Sequence, residues 1–169
     1  MGVRILGIDP GTLATGWGVI ESSGHAVTHC GHGVIRTRAK DPLWTRLHVI
    51  QLGIAAVLGE QRPDVMAIER VFVNKNVQSA LKLGHARGVA MVTCVAEALD
   101  VHEYTAGEIK KAVTGHGRAE KHQVQEMVRI MLCLPKAAPT DASDALAAAL
   151  CHMQAAKFAR LLTGSAGRA

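Results

Sequence analysis

Aromatic residues are almost missing from this chain: two Trp, two Phe and one Tyr among 169 residues. Its core must therefore be assembled from Val, Ile, Leu, Met and Ala. Cysteine is equally sparse. Cys30, Cys94, Cys133 and Cys151 lie far apart and form no C-x-x-C pair, which argues against a disulfide framework and reads as small thiols in apolar company. His29, Cys30 and His32, with His25 nearby, resemble a zinc cluster. However, strand alternation should send them to opposite faces, and no second ligand pair stands at metal spacing. No apolar run approaches the ~20 residues of a membrane span and the start shows no signal-peptide pattern, so a cytoplasmic protein with no membrane role is expected. Repeats, low-complexity segments and long linkers are missing too. One domain over residues 1–162 is expected, with residues 163–169 a disordered tail.

Acids are also in deficit, 14 against 19 Lys and Arg, for a net charge of +5. If four of the 14 are gathered in one site, ten remain against 19 bases, a balance that favours a polyanionic partner.

What is present begins with Val3-Arg4-Ile5-Leu6-Gly7-Ile8-Asp9-Pro10-Gly11, an apolar strand that ends in a carboxylate. Pro10 cannot donate a ladder hydrogen bond and Gly11 permits positive φ, so the chain turns directly after Asp9. Thr15 to Glu21 alternates like a second strand, and His25 to Arg38 offers a third, broken by Gly31 and Gly33. Short connections make these three an antiparallel meander. Asp41 as N-cap and Pro42 in the first turn open a helix whose apolar face is Leu43, Leu47, Ile50, Ile54, Val57 and Leu58. Val65-Met66-Ala67-Ile68-Glu69 then repeats the opening pattern: a short apolar strand closed by an acid. A strand–helix–strand crossover sets it parallel to its neighbour, so Asp9 and Glu69 can share the carboxyl edge, where ligands of open α/β sheets bind.

Asn76 should cap a second helix, to about Leu99, with Leu81, Gly84, Gly88, Met91, Val92 and Val95 on related faces. Asp100 to Tyr104 is a fifth strand, Ala106 to Val113 a short helix, and Thr114 to Arg118 a basic loop. Glu120 to Leu132 is helical, with Val124, Met127, Val128 and Met131 inward, and a last helix runs from about Thr140 to Leu162. That helix begins Thr140-Asp141-Ala142-Ser143-Asp144-Ala145, and residues three apart share a face, so Asp141 and Asp144 project together. Alone they read as first-turn acids favoured by the helix dipole. Yet Ala145, Leu146, Ala148, Ala149 and Leu150 make the helix apolar nearly all round, so its start should pack on the sheet. Four acids there are costly without a divalent cation, and hard oxygen donors suit Mg2+ or Mn2+ rather than Zn2+. Two such ions about 4 Å apart clamp the attacking and leaving oxygens of a phosphodiester.

These motifs together resemble the RuvC-type Holliday-junction resolvases, endonucleases of the RNase H-like fold, over about residues 3 to 155. The matching text is Ile8-Asp9-Pro10-Gly11-Thr12 with Gly16-Trp17-Gly18, then Ile68-Glu69-Arg70-Val71-Phe72 and Ser79-Ala80-Leu81-Lys82-Leu83-Gly84. Ala119-Glu120-Lys121 and Asp141-Ala142-Ser143-Asp144-Ala145-Leu146 complete it, five motifs in order. The resemblance implies a five-stranded mixed α/β sheet, three antiparallel strands and then parallel ones, flanked by helices. It implies that Asp9, Glu69, Asp141 and Asp144 ligate two Mg2+, with Mn2+ a possible substitute. It further implies a homodimer that makes paired symmetric nicks in a four-way DNA junction during recombination and repair, beside a branch-migration motor complex. Phe72 looks like the loop aromatic that stacks on an unpaired base, where composition alone would make it a core residue. Lys110 and Lys121 match lysines the family uses at the DNA. Arg118 with Gly115 and Gly117 could contact phosphate, and Arg70, Lys75, Lys82 and Arg87, with no acid among them, suit a DNA-facing surface.

The stripe Ala80, Gly84 and Gly88 admits either close packing on the sheet or a two-fold-related helix, and the family's dimer favours the second. Two rival functions can be weighed. An ATPase of the actin and sugar-kinase type needs a second lobe that 169 residues cannot supply. A non-catalytic junction binder would gain only repulsion from phosphate by keeping four acids.

Overall fold

The computed structural model describes residues 2–70 and 77–166. Along the chain run β1 (Val3–Asp9), β2 (Ala14–Ser23), β3 (Ala26–Arg36), α1 (Leu43–Gln61), β4 (Val65–Glu69), α2 (Val77–Ala96), β5 (Asp100–Tyr104), α3 (Ala106–Thr114), α4 (Lys121–Met131) and α5 (Thr140–Ala166). The strands form one sheet in the order β3-β2-β1-β4-β5. β1 is antiparallel to β2, and β2 to β3, whereas β4 runs parallel to both β1 and β5. This is the five-stranded mixed sheet expected from the sequence.

Strand alternation divides the core into two layers. Leu6, Ile8, Val19, Met66 and Ile68 point to the side covered by α1 and α2, where Ile50, Ile54, Val57, Ala86, Ala90 and Cys94 meet them. Ile5, Ile20, Val65 and Ala67 point to the other side, against α5, with α3 and α4 packed beyond. Gly7 shares the parity of Ile5, and Gly16 and Gly18 that of Ile20. A Cβ on Gly7 would overlap the Ala145 carbonyl oxygen, and one on Gly16 the Asp141 carbonyl oxygen. These two glycines let the backbone of α5 lie directly on the sheet, at a separation no side chain would permit.

The structure departs from the sequence expectations at several points. Helix α1 starts one residue late: Asp41 donates its N–H to the Arg38 carbonyl in a turn, and Pro42, in extended conformation, is the cap. Proline suits that place because it has no N–H to satisfy. Helix α2, whose small-residue stripe could meet either the sheet or a partner helix, turns Gly84 and Gly88 away from the sheet. Ala86, Ala90, Thr93 and Cys94 are buried, while Leu81, Val92 and Val95 are exposed, Val92 at 70%. Helical period alone cannot say which of two mixed faces meets the core. The backbone of α5 continues to Ala166, four residues past the expected end, so the anticipated tail is in part helical. Cys94 and Cys151 are buried as expected, but Cys133 is exposed.

Strand β3 is unbroken, and it carries a bulge: the pairing jumps from Val19↔Gly31 to Ile20↔His29, leaving Cys30 extra. One extra residue reverses the alternation, so His29 and His32 share a face with ring nitrogens 2.8 Å apart. Alternation therefore does not separate the two histidines. They still lack a third ligand, since among the described residues no three His, Cys, Asp or Glu side chains form a ready metal-binding group.

Candidate active site: four carboxylates at one sheet edge

Asp9 ends β1 and Glu69 ends β4, and the parallel register Ile5↔Val65 to Ile8↔Ile68 brings the two acids side by side at the carboxyl edge. Both have the parity of Gly7 and Ala67, so both side chains emerge on the α5 face of the sheet. The same face receives the start of α5. The Asp141 carbonyl lies over Gly16, which pairs with Asp9 across the β1–β2 ladder. Asp144 follows one helical turn later and lines, with Glu69, Lys110, Lys121, Ile109 and Val124, a cavity of about 210 Å³. The sequence therefore names the four acids, and the sheet register and the glycines bring them together.

Several small devices hold this edge in place. The turn after Asp9 is pinned by fully buried Thr15, whose hydroxyl donates to the Gly11 carbonyl at 2.8 Å and accepts from the Gly11 N–H at 3.3 Å. The Thr37 hydroxyl donates to the Thr12 carbonyl at 2.6 Å and ties β3 to the same turn. Buried Ser143 donates to the Ala138 carbonyl at 3.1 Å and anchors the first turn of α5 between its two aspartates. None of these three hydroxyls stands out in the sequence as part of the site. Only Ser143 offers a signal, as a polar residue inside an otherwise apolar helix face.

Arg87 does not join the outward-facing bases, contrary to the sequence expectation. Its guanidinium pairs with Glu103 on β5 and its Nε–H donates to the Glu69 carbonyl at 3.3 Å. Arg87 thus fastens α2 to the strand end that carries Glu69. Of the other expected DNA contacts, Arg70, Lys82, Arg118 and Lys121 are exposed and Lys110 is half-buried. Lys110 and Lys121 stand at the acids, whereas Arg118 lies apart, beside His116, His122 and Met127. Phe72 and Lys75, with the cap expected at Asn76, fall outside the described residues. His152, buried in α5, is satisfied by the Tyr104 hydroxyl at 2.7 Å and is structural.

The electrostatics follow from the crowding. Burial and the neighbouring Asp144, Asp141 and Glu69 push the Asp9 carboxyl up to about 7, with Lys121 opposing. Glu69 is raised as well, first by burial and then by Asp144, against the pull of Lys110 and Lys121. Lys121 is held protonated by its hydrogen bond to Asp144. An acid that titrates near neutrality for lack of positive charge is what a carboxylate cluster built around a cation looks like. The donor set fits: four hard carboxylates, no thiolate and no imidazole, suited to Mg2+ or Mn2+. Glu69 and Asp144 line the cleft and Asp9 feels the charge of Asp144, Asp141 and Glu69, while among the described residues no three acids are drawn together as a ready metal-binding group.

A family model described as crossover junction endodeoxyribonuclease RuvC matches residues 5–152. The chain is 54% identical to the crossover junction endodeoxyribonuclease RuvC of Syntrophotalea carbinolica over 161 residues, 95% of this chain and 100% of that protein. It is 50% identical to the protein of the same description from Geobacter sulfurreducens over 160 residues, covering 95% and 98%. Among solved structures it resembles T. thermophilus RuvC in complex with a Holliday junction substrate. There the TM-score is 0.87 at 33% identity, over 93% of this chain and 96% of that one. The yeast mitochondrial Holliday junction resolvase Ydc2 shares the fold, with a TM-score of 0.65 at 13% identity over 90% and 79%.

Proposed function

The chain belongs to the RuvC family of crossover junction endodeoxyribonucleases, with the RNase H-like fold, and on that premise we infer how it works. It is a structure-selective endonuclease that hydrolyses phosphodiesters in four-way DNA junctions, in recombination and repair. The observation that carries this reading is the convergence of Asp9, Glu69, Asp141 and Asp144 on one edge, with Asp9 titrating near 7.

Those four acids would hold Mg2+, with Mn2+ able to substitute. Bound as a pair, such ions supply an activated water and stabilise the leaving 3′-oxygen. The chain's own contribution is placement. Thr15 and Thr37 hold the turn beyond Asp9, Ser143 fixes the two aspartates of α5, and Arg87 fixes the end of β4. Lys110 and Lys121 put two positive charges at the cleft, where a phosphate would otherwise meet only carboxylates. Arg70, Lys82 and Arg118 are exposed and available to backbone phosphates, and Lys75 and Phe72 complete the expected DNA contacts. No described helix is long and apolar enough to cross a membrane. The place of work is the cytoplasm, at the nucleoid, where the DNA substrate lies, with a branch-migration motor complex as the expected partner.

The enzyme works as a homodimer, because a junction with near two-fold symmetry needs two sites and a C2 pair supplies them. The surface that supports this is an apolar groove of about 830 Å³ between α1 and α2, lined by Trp44, Leu47, Leu81, Gly84, Gly88 and Val92. A Cβ on Gly84 or Gly88 would meet nothing within 4 Å, so packing inside one chain does not demand glycine there. A second copy of the same helix would.

The decisive measurement is Mg2+-dependent cleavage of a mobile four-way junction beside linear duplex of the same sequence. Wild type should nick the junction in pairs and spare the duplex. Asp9→Asn should cut neither while still binding the junction in Ca2+. Full cleavage by that variant, or equal cutting of both substrates, would end the proposal.

A further inference from the structure

Lys121 is placed where helix formation gives no reason for a cation. It is the first residue of α4, and the N-terminus of a helix disfavours positive charge. The local need for a cap is already met: Glu120 and Gln123 satisfy each other's backbone N–H groups in a capping box. That box leaves the Lys121 backbone fixed and its side chain free to reach. It reaches across the cleft to α5, where Nζ stands 2.7 Å from Asp144 Oδ2. Asp144 is mostly covered, while the Lys121 side chain is 61% exposed along its length.

We propose that Lys121 is a resident counter-ion that competes with a divalent cation for Asp144 and surrenders it to DNA phosphate, so that metal loading depends on substrate. The proposal rests on the reading of the four acids as metal ligands. The ammonium occupies a carboxylate oxygen that a metal would need, and its charge opposes a second cation entering the same cavity. Because the lysine is largely solvated, leaving Asp144 costs little. A phosphate oxygen arriving at the cleft offers the ammonium an equivalent anion and frees Asp144 in the same movement. Without DNA the enzyme is therefore held short of a full metal complement, which guards against hydrolysis at chance contacts. Lys110 lines the same cavity from α3 and acts on Glu69, whereas the contact with Asp144 is made by Lys121.

The test is Mn2+ binding to the DNA-free protein, followed by the electron paramagnetic resonance signal of the free ion. Lys121→Gln should bind Mn2+ about fivefold more tightly than wild type, equivalent to about 1 kcal/mol. Lys121→Arg, which keeps charge and reach, should match wild type, and Lys110→Gln should change affinity less than about twofold. Junction cleavage by Lys121→Gln should be slower than wild type despite the tighter metal. Unchanged or weaker Mn2+ binding by Lys121→Gln overturns the proposal, and so does equal tightening by Lys110→Gln, which would make the effect one of general field. Mn2+ binding that survives Asp9→Asn at full strength would overturn the ligand assignment itself, and is read separately.

Discussion

The two faces of the sheet are packed by opposite rules. On the α5 face, backbone meets backbone: Gly7 and Gly16 accept the carbonyls of Ala145 and Asp141, and Ala142, Ala145 and Ala149 are fully buried. On the α1–α2 face, branched chains such as Ile50, Ile54 and Ile68 fill the space beside Met66, and the far side of α2 is left bare. The first rule leaves no freedom of distance, which is why the acids that must converge sit there. The second tolerates rearrangement and ends in an apolar groove between α1 and α2. The rigid face carries the four candidate acids, and the apolar groove lies on the opposite side.

Gly7→Val strikes the tight face and should have the largest effect. The added atoms must displace the α5 backbone, so a loss of more than about 4 kcal/mol is expected, seen as a collapsed thermal transition and no cleavage. Should the variant keep its melting temperature and activity, backbone contact is not what sets the distance between β1 and α5. On the loose face, Val92→Glu should leave the melting of the single chain unchanged, since the residue is 70% exposed. It should weaken dimerisation about a hundredfold, measured by sedimentation, by forcing a charge into an apolar contact. An unaltered dimer would move the interface off α2.

Asp9 in the folded protein titrates near 7, against 3.8 as its ordinary value. Between those values the folded state holds a proton that the unfolded state has lost, so this group makes stability fall as pH rises from about 4 to 7. Asp9→Asn should remove that loss. In the presence of a chelator at pH 8 its melting temperature should exceed that of wild type by a few degrees, and the gap should close towards pH 4. A variant less stable than wild type at pH 8 would mean that Asp9 is not held against its neighbours' charge. The smallest effect belongs to a turn outside both layers. Ala98, exposed after α2, adopts φ 61°. Ala98→Gly should gain up to about 1 kcal/mol in denaturant unfolding without altering cleavage, and a loss would show that the left-handed turn is not strained.

Much of this molecule can be read from residues in order. Val3 to Asp9 and Val65 to Glu69 are each an apolar run closed by an acid, and a helical crossover between them requires parallel pairing. Asp141 and Asp144 lie three apart at the start of an apolar helix. What periodicity cannot assign is the orientation of α2, because its alanine side and its valine–glycine side are both apolar enough to meet a core. Nor does alternation survive the Cys30 bulge, since one inserted residue reverses every later side chain on that strand.

From the sequence alone come the four candidate acids, the element ends at which they stand, and the excess of positive charge elsewhere in the chain. Only the tertiary structure decided their company. It took the register of β1 against β4 to set Asp9 beside Glu69, and the missing side chains of Gly7 and Gly16 to bring α5 down onto them. Lys121, by number one base among 19, became the partner of Asp144 only when α4 was folded against α5. Carboxylate spacing along a chain is local information, whereas distance across a cleft is fixed by every layer packed beneath it.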